Sequence, residues 1–436
     1  MLPAALRPFC LLLFCWMAAC QPEPKTPPAG LDSIPDTVHA PVPPPPARTL
    51  TGAELLLRDR LADLQGKRVA LVANHTAVVH GRTHLADTLM SLGVSLIRVF
   101  SPEHGFRGQA DAGEAVQSST DERTGLPVVS LYGNNKKPSP AQMAGIDLLL
   151  FDMQDIGSRH YTYISTLTYV LEACAELRVP VLVLDRPNPN GWYTAGPVLE
   201  PGAESFIGMH RIPIVHGMTI GEYALMVNGE GWLKNGVRAE LEVLACERYT
   251  HAMRWEQTGL PWVPPSPNIG SPYAAYLYPI LCWYEPTAVG VGRGTHQAFE
   301  QIGSPWIRPE RIAGDSAVWN GLTIKSAAFT PVSLPGKAKT PKFQDQACRG
   351  FAFAGAPAGD SLMTAGLRLL TALQQQHQAA GLKGFFEPAF YKWAGNRTLQ
   401  QQVQRGLPPA EIQASWMKGL EAFRAVRSRY LVYPEG

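Results

Sequence analysis

From residue 66 onward the chain alternates between short apolar runs and amphipathic stretches. Residues 68–73 form an apolar run of strand length. A polar turn follows, then a helical stretch over 83–92 stopped by Gly93. Residues 94–100 and 127–131 read as the second and third strands, 139–145 as a short helix, and 147–151 as a strongly apolar fourth strand. A long helix is predicted over 161–177 and a fifth strand over 181–184. Apolar strands without alternation, separated by helices, indicate a parallel sheet covered on both faces. The predicted fold class is therefore α/β, a Rossmann-like doubly wound sheet over 51–270, followed by a smaller α+β C-terminal domain over 271–436. In the later part, 216–222 opens a helix that runs to about Asn228. Residues 255–268 form a Pro/Trp-rich loop, and 284–299 a Gly-rich segment. The stretch 300–436 mixes short strands with a final helix near 410–430.

The residues after each strand are the informative ones, because open α/β sheets bind ligands at the carboxyl ends of their strands. Strand one is followed by Asn74 and His75, and strand two by Glu103 and His104. Strand four is followed by Asp152, Gln154, Asp155 and Arg159, with Tyr161 starting the helix; strand five by Asp185, Arg186 and Asn188. His216, Asn268 and Arg293 join these from later loops. Carboxylates, amides, imidazoles and guanidinium groups thus converge on one rim, with Trp and Tyr beside them, as sugar recognition requires.

Each candidate has a structural reading beside the functional one. Glu103, between Pro102 and His104 at the end of an apolar strand, suits a general acid as well as a turn-capping carboxylate. Asp152 and Asp155 offer a second carboxylate or ligand-hydroxyl contacts, whereas Asp155 could equally cap the following helix. Arg159 and Arg186 could each hold a ligand carboxylate through two parallel hydrogen bonds, or form an ordinary ion pair. His75, His80 and His84 match no common zinc spacing, so no metal is expected. The segment 290–295 lacks the Lys of a phosphate-binding loop, and no G-x-S-x-G elbow is present.

The N-terminus changes the picture of where such a cleft would work. Residues 1–20 carry one positive charge, an apolar stretch over 8–19, and end in Met17-Ala18-Ala19-Cys20, a signal-peptide profile that resembles a bacterial lipobox with Cys20 as the lipidated residue. The alternative is a plain signal-peptidase cut. Gln21 rather than Asp points to outer-membrane placement on the periplasmic side. A linker over 21–50 follows; residues 21–48 contain ten prolines and no aromatic residue, the composition of an extended spacer. Net charge is only +2, which argues against nucleic acid as a partner. Charged residues make up 17%, below the ~25% typical of soluble domains. Cys174, Cys246, Cys282 and Cys348 lie far apart, and their spacing assigns no disulfide.

Taken together, SPEHGF at 101–106, FDMQDIGSRHYTYIST at 151–166, LDRPNPNGW at 184–192, HGMTIGE at 216–222, PSPNI at 265–269 and GRGT at 292–295 resemble the exo-β-N-acetylmuramidase family, NamZ, glycoside hydrolase family 171. The closing FFEPAFYKWAG at 385–395 and RSRYLVY at 427–433 extend the resemblance to the C-terminus. It implies an active site between a Rossmann-like and an auxiliary domain, no cofactor, and release of terminal N-acetylmuramic acid from peptidoglycan fragments. It also implies Glu103 as the catalytic acid. His104 would then orient it or relay its proton, and Asp152 or Glu222 would supply the second carboxylate. Arg159 or Arg186 would take the lactyl carboxylate. Two departures stand out: Glu285-Pro286-Thr287 where relatives usually have E-G-T, and Ala298-Phe299-Glu300 in place of P-F-E. The rival reading is a non-catalytic envelope lipoprotein that binds glycan ends.

Overall fold

A computed structural model describes residues 48–436 except 104, 109–117, 315, 320 and 356–358. The leader, Cys20, most of the Pro-rich linker and His104 lie outside the described residues.

The apolar runs form the strands they predict. Strands β1 (Val69–Ala73), β2 (Val78–Val79), β3 (Thr83–His84), β4 (Leu96–Ser101), β5 (Ser119–Thr120), β6 (Pro127–Ser130), β7 (Leu148–Asp152), β8 (Val181–Leu184) and β9 (Leu241–Leu244) follow in chain order. Seven of them make one sheet, ordered β5-β6-β4-β1-β7-β8-β9. All neighbours pair in parallel except β5 with β6. Without the β5 edge this is the Rossmann order, and it reverses direction between β1 and β7. Every residue of β1, β7 and β8 is buried, as a sheet covered on both faces demands. Strands β2 and β3 form a separate small hairpin, so the helix predicted from residue 83 begins only at Leu85.

The helices take sequence-local caps. Helix α1 (Gly52–Leu55) and α3 (Pro140–Met143) start with Thr51/Glu54 and Ser139/Gln142 capping boxes. Helix α2 spans Leu85–Ser91, α4 Tyr163–Leu177, and α5 Ile220–Gly229, the last with a Thr219/Glu222 capping box. Helix α6 (Pro272–Leu281) begins at the Ser271 cap with Pro272 in its first turn.

The C-terminal part holds a second, antiparallel sheet of β10 (Gln301–Ser304), β11 (Ser316–Trp319), β12 (Leu322–Phe329) and β13 (Cys348–Ala354), ordered β10-β13-β12-β11. Helices α7 (Gly359–Ala379), α8 (Phe390–Ala394), α9 (Thr398–Gln404) and α10 (Pro409–Arg427) complete it. After α10 the chain returns to the first sheet: the Tyr433 hydroxyl donates to Asp185 at 2.6 Å and the Val432 amide to Glu222 at 2.8 Å. This return gives RSRYLVY a structural role. The four described cysteines are free and buried. No helix among the described residues is long and apolar enough to cross a membrane.

Candidate active site

Glu103 sits in the turn that leaves β4. The next residues pin that turn from behind. Phe106 packs edge-on against His84 with ring centroids 4.7 Å apart, and Arg107 bridges Asp87 at 3.0 Å and Asp121 at 2.7 Å. Gly108 has φ +74° and lies so close to the His75 ring that a Cβ there would come within 2.5 Å of it. The Arg107 guanidinium, foremost, holds Asp121 down at about 2. Phe106, Arg107 and Gly108, which follow Glu103, are thus anchored by charge on one side and by packing on the other.

Glu103 borders a cavity of about 250 Å3, whose wall also includes Tyr132, His160, Tyr161, Thr162, Tyr163, Phe206, Ile207, Ser266, Ile269, Tyr278, Glu285, Arg293 and Phe299. Tyr132 follows β6 and donates its hydroxyl to Glu103 at 3.1 Å; burial first, and the Glu103 charge second, push the Tyr132 phenol up to about 12. Tyr161 meets Tyr163 and Tyr278 edge-to-face, at 4.9 and 5.7 Å between centroids. The Tyr163 hydroxyl donates to the Pro265 carbonyl at 2.6 Å and accepts from Asn74 at 2.7 Å. His160 is held by the Trp393 carbonyl at 2.7 Å, and burial drives its pKa to about 3, so it is neutral. Arg293 lies between Gly292 and Gly294, at φ +74° and +80°, where a Cβ would come within 2.7 Å of the Gln297 and Val332 carbonyls respectively. Its Nε donates to Glu285 at 2.8 Å, and its guanidinium carbon lies 4.9 Å from the centre of the Phe299 ring. The cavity therefore combines aromatic walls, two carboxylates and one guanidinium.

Of the residues predicted from sequence, Glu103, Tyr161 and Arg293 border this cavity. Asn74, His75 and Asn268 stand one layer behind. Asn74 orients Tyr163, His75 faces the Pro264 carbonyl at 2.7 Å, and Asn268 donates to the Lys337 carbonyl at 2.8 Å. The remaining candidates belong to the β7 and β8 ends and lie outside the cavity wall. Asp152 is fully buried and receives both Nε and Nη2 of Arg186, at 2.5 and 2.9 Å. Gln154 donates to the Asp155 and Pro187 carbonyls, both at 2.7 Å. Asp155 does not cap α4, whose N-cap is Thr162. It accepts instead from the Gly157 amide at 2.6 Å and stands 3.8 Å from His216, which is buried neutral. Burial pushes the Asp155 carboxyl up to about 7.

Arg159 is also fully buried. Its guanidinium donates to four backbone carbonyls, those of Pro197, Ile212, Trp393 and Ala394, and burial lowers its pKa to about 9. Asp185 accepts from Thr219, Gly221 and Tyr433. Asn188 donates to the Met218 carbonyl at 2.7 Å. Glu222 caps α5 and takes His251 at 2.9 Å and the Val432 amide. These groups hold the domain together, and neither of the expected second carboxylates, Asp152 or Glu222, faces the Glu103 cavity.

The sequence matches the N-terminal domain of the exo-beta-N-acetylmuramidase NamZ family over residues 69–273 and the C-terminal domain of the same family over residues 276–433. The chain belongs to the NamZ family. A peptidoglycan beta-N-acetylmuramidase NamZ of Bacillus subtilis is 36% identical over 388 residues, covering 88% of this chain and 91% of the relative. Two DUF1343 family proteins of Bacteroides fragilis have solved structures that superpose with TM-scores of 0.76 and 0.77, at 36% and 30% identity. Each comparison covers 89% of this chain and all of the other. As a NamZ-family member the chain is a glycoside hydrolase. Sequence reasoning missed Tyr132, Phe206, Ser266, Glu285 and Phe299 in the cavity wall. Tyr132 was within its reach, because it stands two residues beyond β6, at the same sheet edge as Glu103.

Proposed function

We propose that the protein removes terminal N-acetylmuramic acid from the non-reducing ends of peptidoglycan glycan fragments, with Glu103 as the acid. The observation that carries this reading is the placement of Glu103, with Tyr132 on its carboxyl, in an aromatic-walled cavity of about 250 Å3. Ligand pockets usually span roughly 300–1,000 Å3, so this one has room for a single sugar unit rather than a threaded chain. In the proposed step the Glu103 carboxyl gives its proton to the glycosidic oxygen as the C1–O bond breaks. A water oxygen bonds to C1 and loses its proton to solvent or a neighbouring base, so the products are a free sugar and a shortened glycan. Tyr132 orients the acid, and the tyrosine wall offers flat faces to the sugar ring. Membership of the NamZ family and the likeness to the Bacillus subtilis enzyme support the substrate class.

The proposal extends to place. Cys20 would be lipidated and the Pro-rich segment would hold the catalytic body off the periplasmic side of the outer membrane, where wall fragments lie. Incubating the full chain with defined muramyl-terminated glycans and separating the products tests the activity. Free N-acetylmuramic acid, absent with Glu103→Gln, is the expected result. A Glu103→Gln protein that still releases it would remove Glu103 from the mechanism, and retained glycan binding without any turnover by the parent would favour a binding lipoprotein.

A further inference from the structure

The cavity sets one positive charge against two carboxylates. Among the described residues of its wall, Arg293 is the one cation, since His160 is buried neutral. Arg293 Nε is spent on Glu285, while among the described residues neither terminal amino group has a hydrogen-bond partner. Its side chain keeps about a quarter of its surface exposed, at 26%. The fork is therefore open at the end that suits a planar anion, backed by the Phe299 ring and fixed by the two flanking glycines. The alternatives are used up elsewhere: Arg159 on four carbonyls, Arg186 on Asp152, and Lys342 on the Glu285 and Thr287 carbonyls and the Glu387 carboxylate.

We infer that Arg293 is the specificity-determining residue: its free Nη pair receives the carboxylate of the lactyl ether that N-acetylmuramic acid carries and N-acetylglucosamine lacks. The identity of the ligand rests on the function proposed above; the assignment of an anion to Arg293 rests on the geometry. Glu285 acts through Arg293 as a positioning residue, holding Nε so that the fork faces the cavity. The inference puts Arg293 in the role that the sequence had offered to Arg159 or Arg186, both of which are buried against other partners.

The test is titration of the full chain by calorimetry with N-acetylmuramic acid and with its lactyl methyl ester, which keeps the sugar and the lactyl ether, adds one methyl group and carries no charge. The parent protein should prefer the acid by roughly 10–100-fold, the range for a charged hydrogen-bonded pair. Arg293→Gln should bring acid and ester to similar affinities through loss on the acid alone. Arg293→Lys, which keeps the charge and loses the fork, should fall between. Glu285→Gln keeps an acceptor for Nε and removes a competing negative charge, so its preference should hold or rise. Thermal unfolding of each variant checks that it is folded. A parent that binds the acid no better than the ester, or not at all, overturns the assignment, as does an Arg293→Gln protein that keeps the preference. Hydrolysis of a chromogenic β-N-acetylmuramide runs in parallel. Absent turnover with an intact, Arg293-dependent preference would overturn the exo-muramidase reading with Glu103 as the acid and leave the anion site standing.

Discussion

The two halves of the sheet's carboxyl edge carry similar residues and put them to opposite uses. At the ends of β7 and β8, and at the start of α5 beside them, Asp152, Asp185 and Glu222 are buried, and each is held by two or more donors: Arg186, the Thr219–Tyr433 group, and the α5 cap with His251. At the ends of β4 and β6, Glu103 meets Tyr132 and faces a cavity large enough for a sugar. A strand end therefore does not by itself mark a reactive group. What separates the two regions is whether the carboxylate opens on a cavity, as Glu103 does, or is closed off inside the protein, as Asp152, Asp185 and Glu222 are.

That contrast is broken most sharply by paired substitutions. Glu103→Gln is expected to lower kcat by about 10²–10⁴-fold while leaving stability within about 0.5 kcal/mol, measured by turnover and chemical unfolding. Asp152→Ala is expected to do the reverse. Leaving Arg186 buried without its partner should cost about 3–5 kcal/mol of stability, read as a lower unfolding midpoint. Tyr132→Phe removes one hydrogen bond to the acid and is expected to reduce kcat by roughly 5–10-fold without a change in fold. Full activity in that variant would detach Tyr132 from the acid.

A smaller effect concerns pH. Burial raises the folded Asp155 carboxyl from 3.8 to about 7, so the folded state binds this proton more tightly than the unfolded chain. The resulting stabilisation is complete below pH about 4 and is lost as pH rises through about 7. Asp155→Asn, which mimics the protonated form, should show a shallower decline of unfolding free energy between pH 5 and 8. An unchanged decline would mean that another group titrates.

Strands β1, β7 and β8 were legible because each is an essentially continuous apolar run, a pattern that a covered parallel sheet imposes, and β4 because its run is broken only by Arg98 before the closing Ser101. Edge strand β9 was missed: Leu241–Leu244 is only partly buried and alternates with acidic residues. Helix α7 was missed although Leu362, Leu369, Leu370 and Leu373 keep a helical spacing, because polar residues such as Gln374–Gln376 dilute the run. The place of Glu103 in the cavity wall was legible because it follows a strand end. Glu285 was not, since it lies in a loop after α6 and meets Arg293 across a turn, where spacing has no period to read. The family motifs proved an ambiguous guide: LDRPNPNGW and HGMTIGE supply mostly buried connections between β8, α5 and the C-terminal return.

The most direct measurement takes Glu103→Gln and Asp152→Asn side by side, recording turnover of a chromogenic β-N-acetylmuramide and thermal unfolding for both. The account predicts a Glu103→Gln protein that unfolds like the parent and does not turn over, and an Asp152→Asn protein that unfolds earlier and keeps its activity per folded molecule. An active Glu103→Gln protein beside an inactive, fully stable Asp152→Asn protein would contradict it.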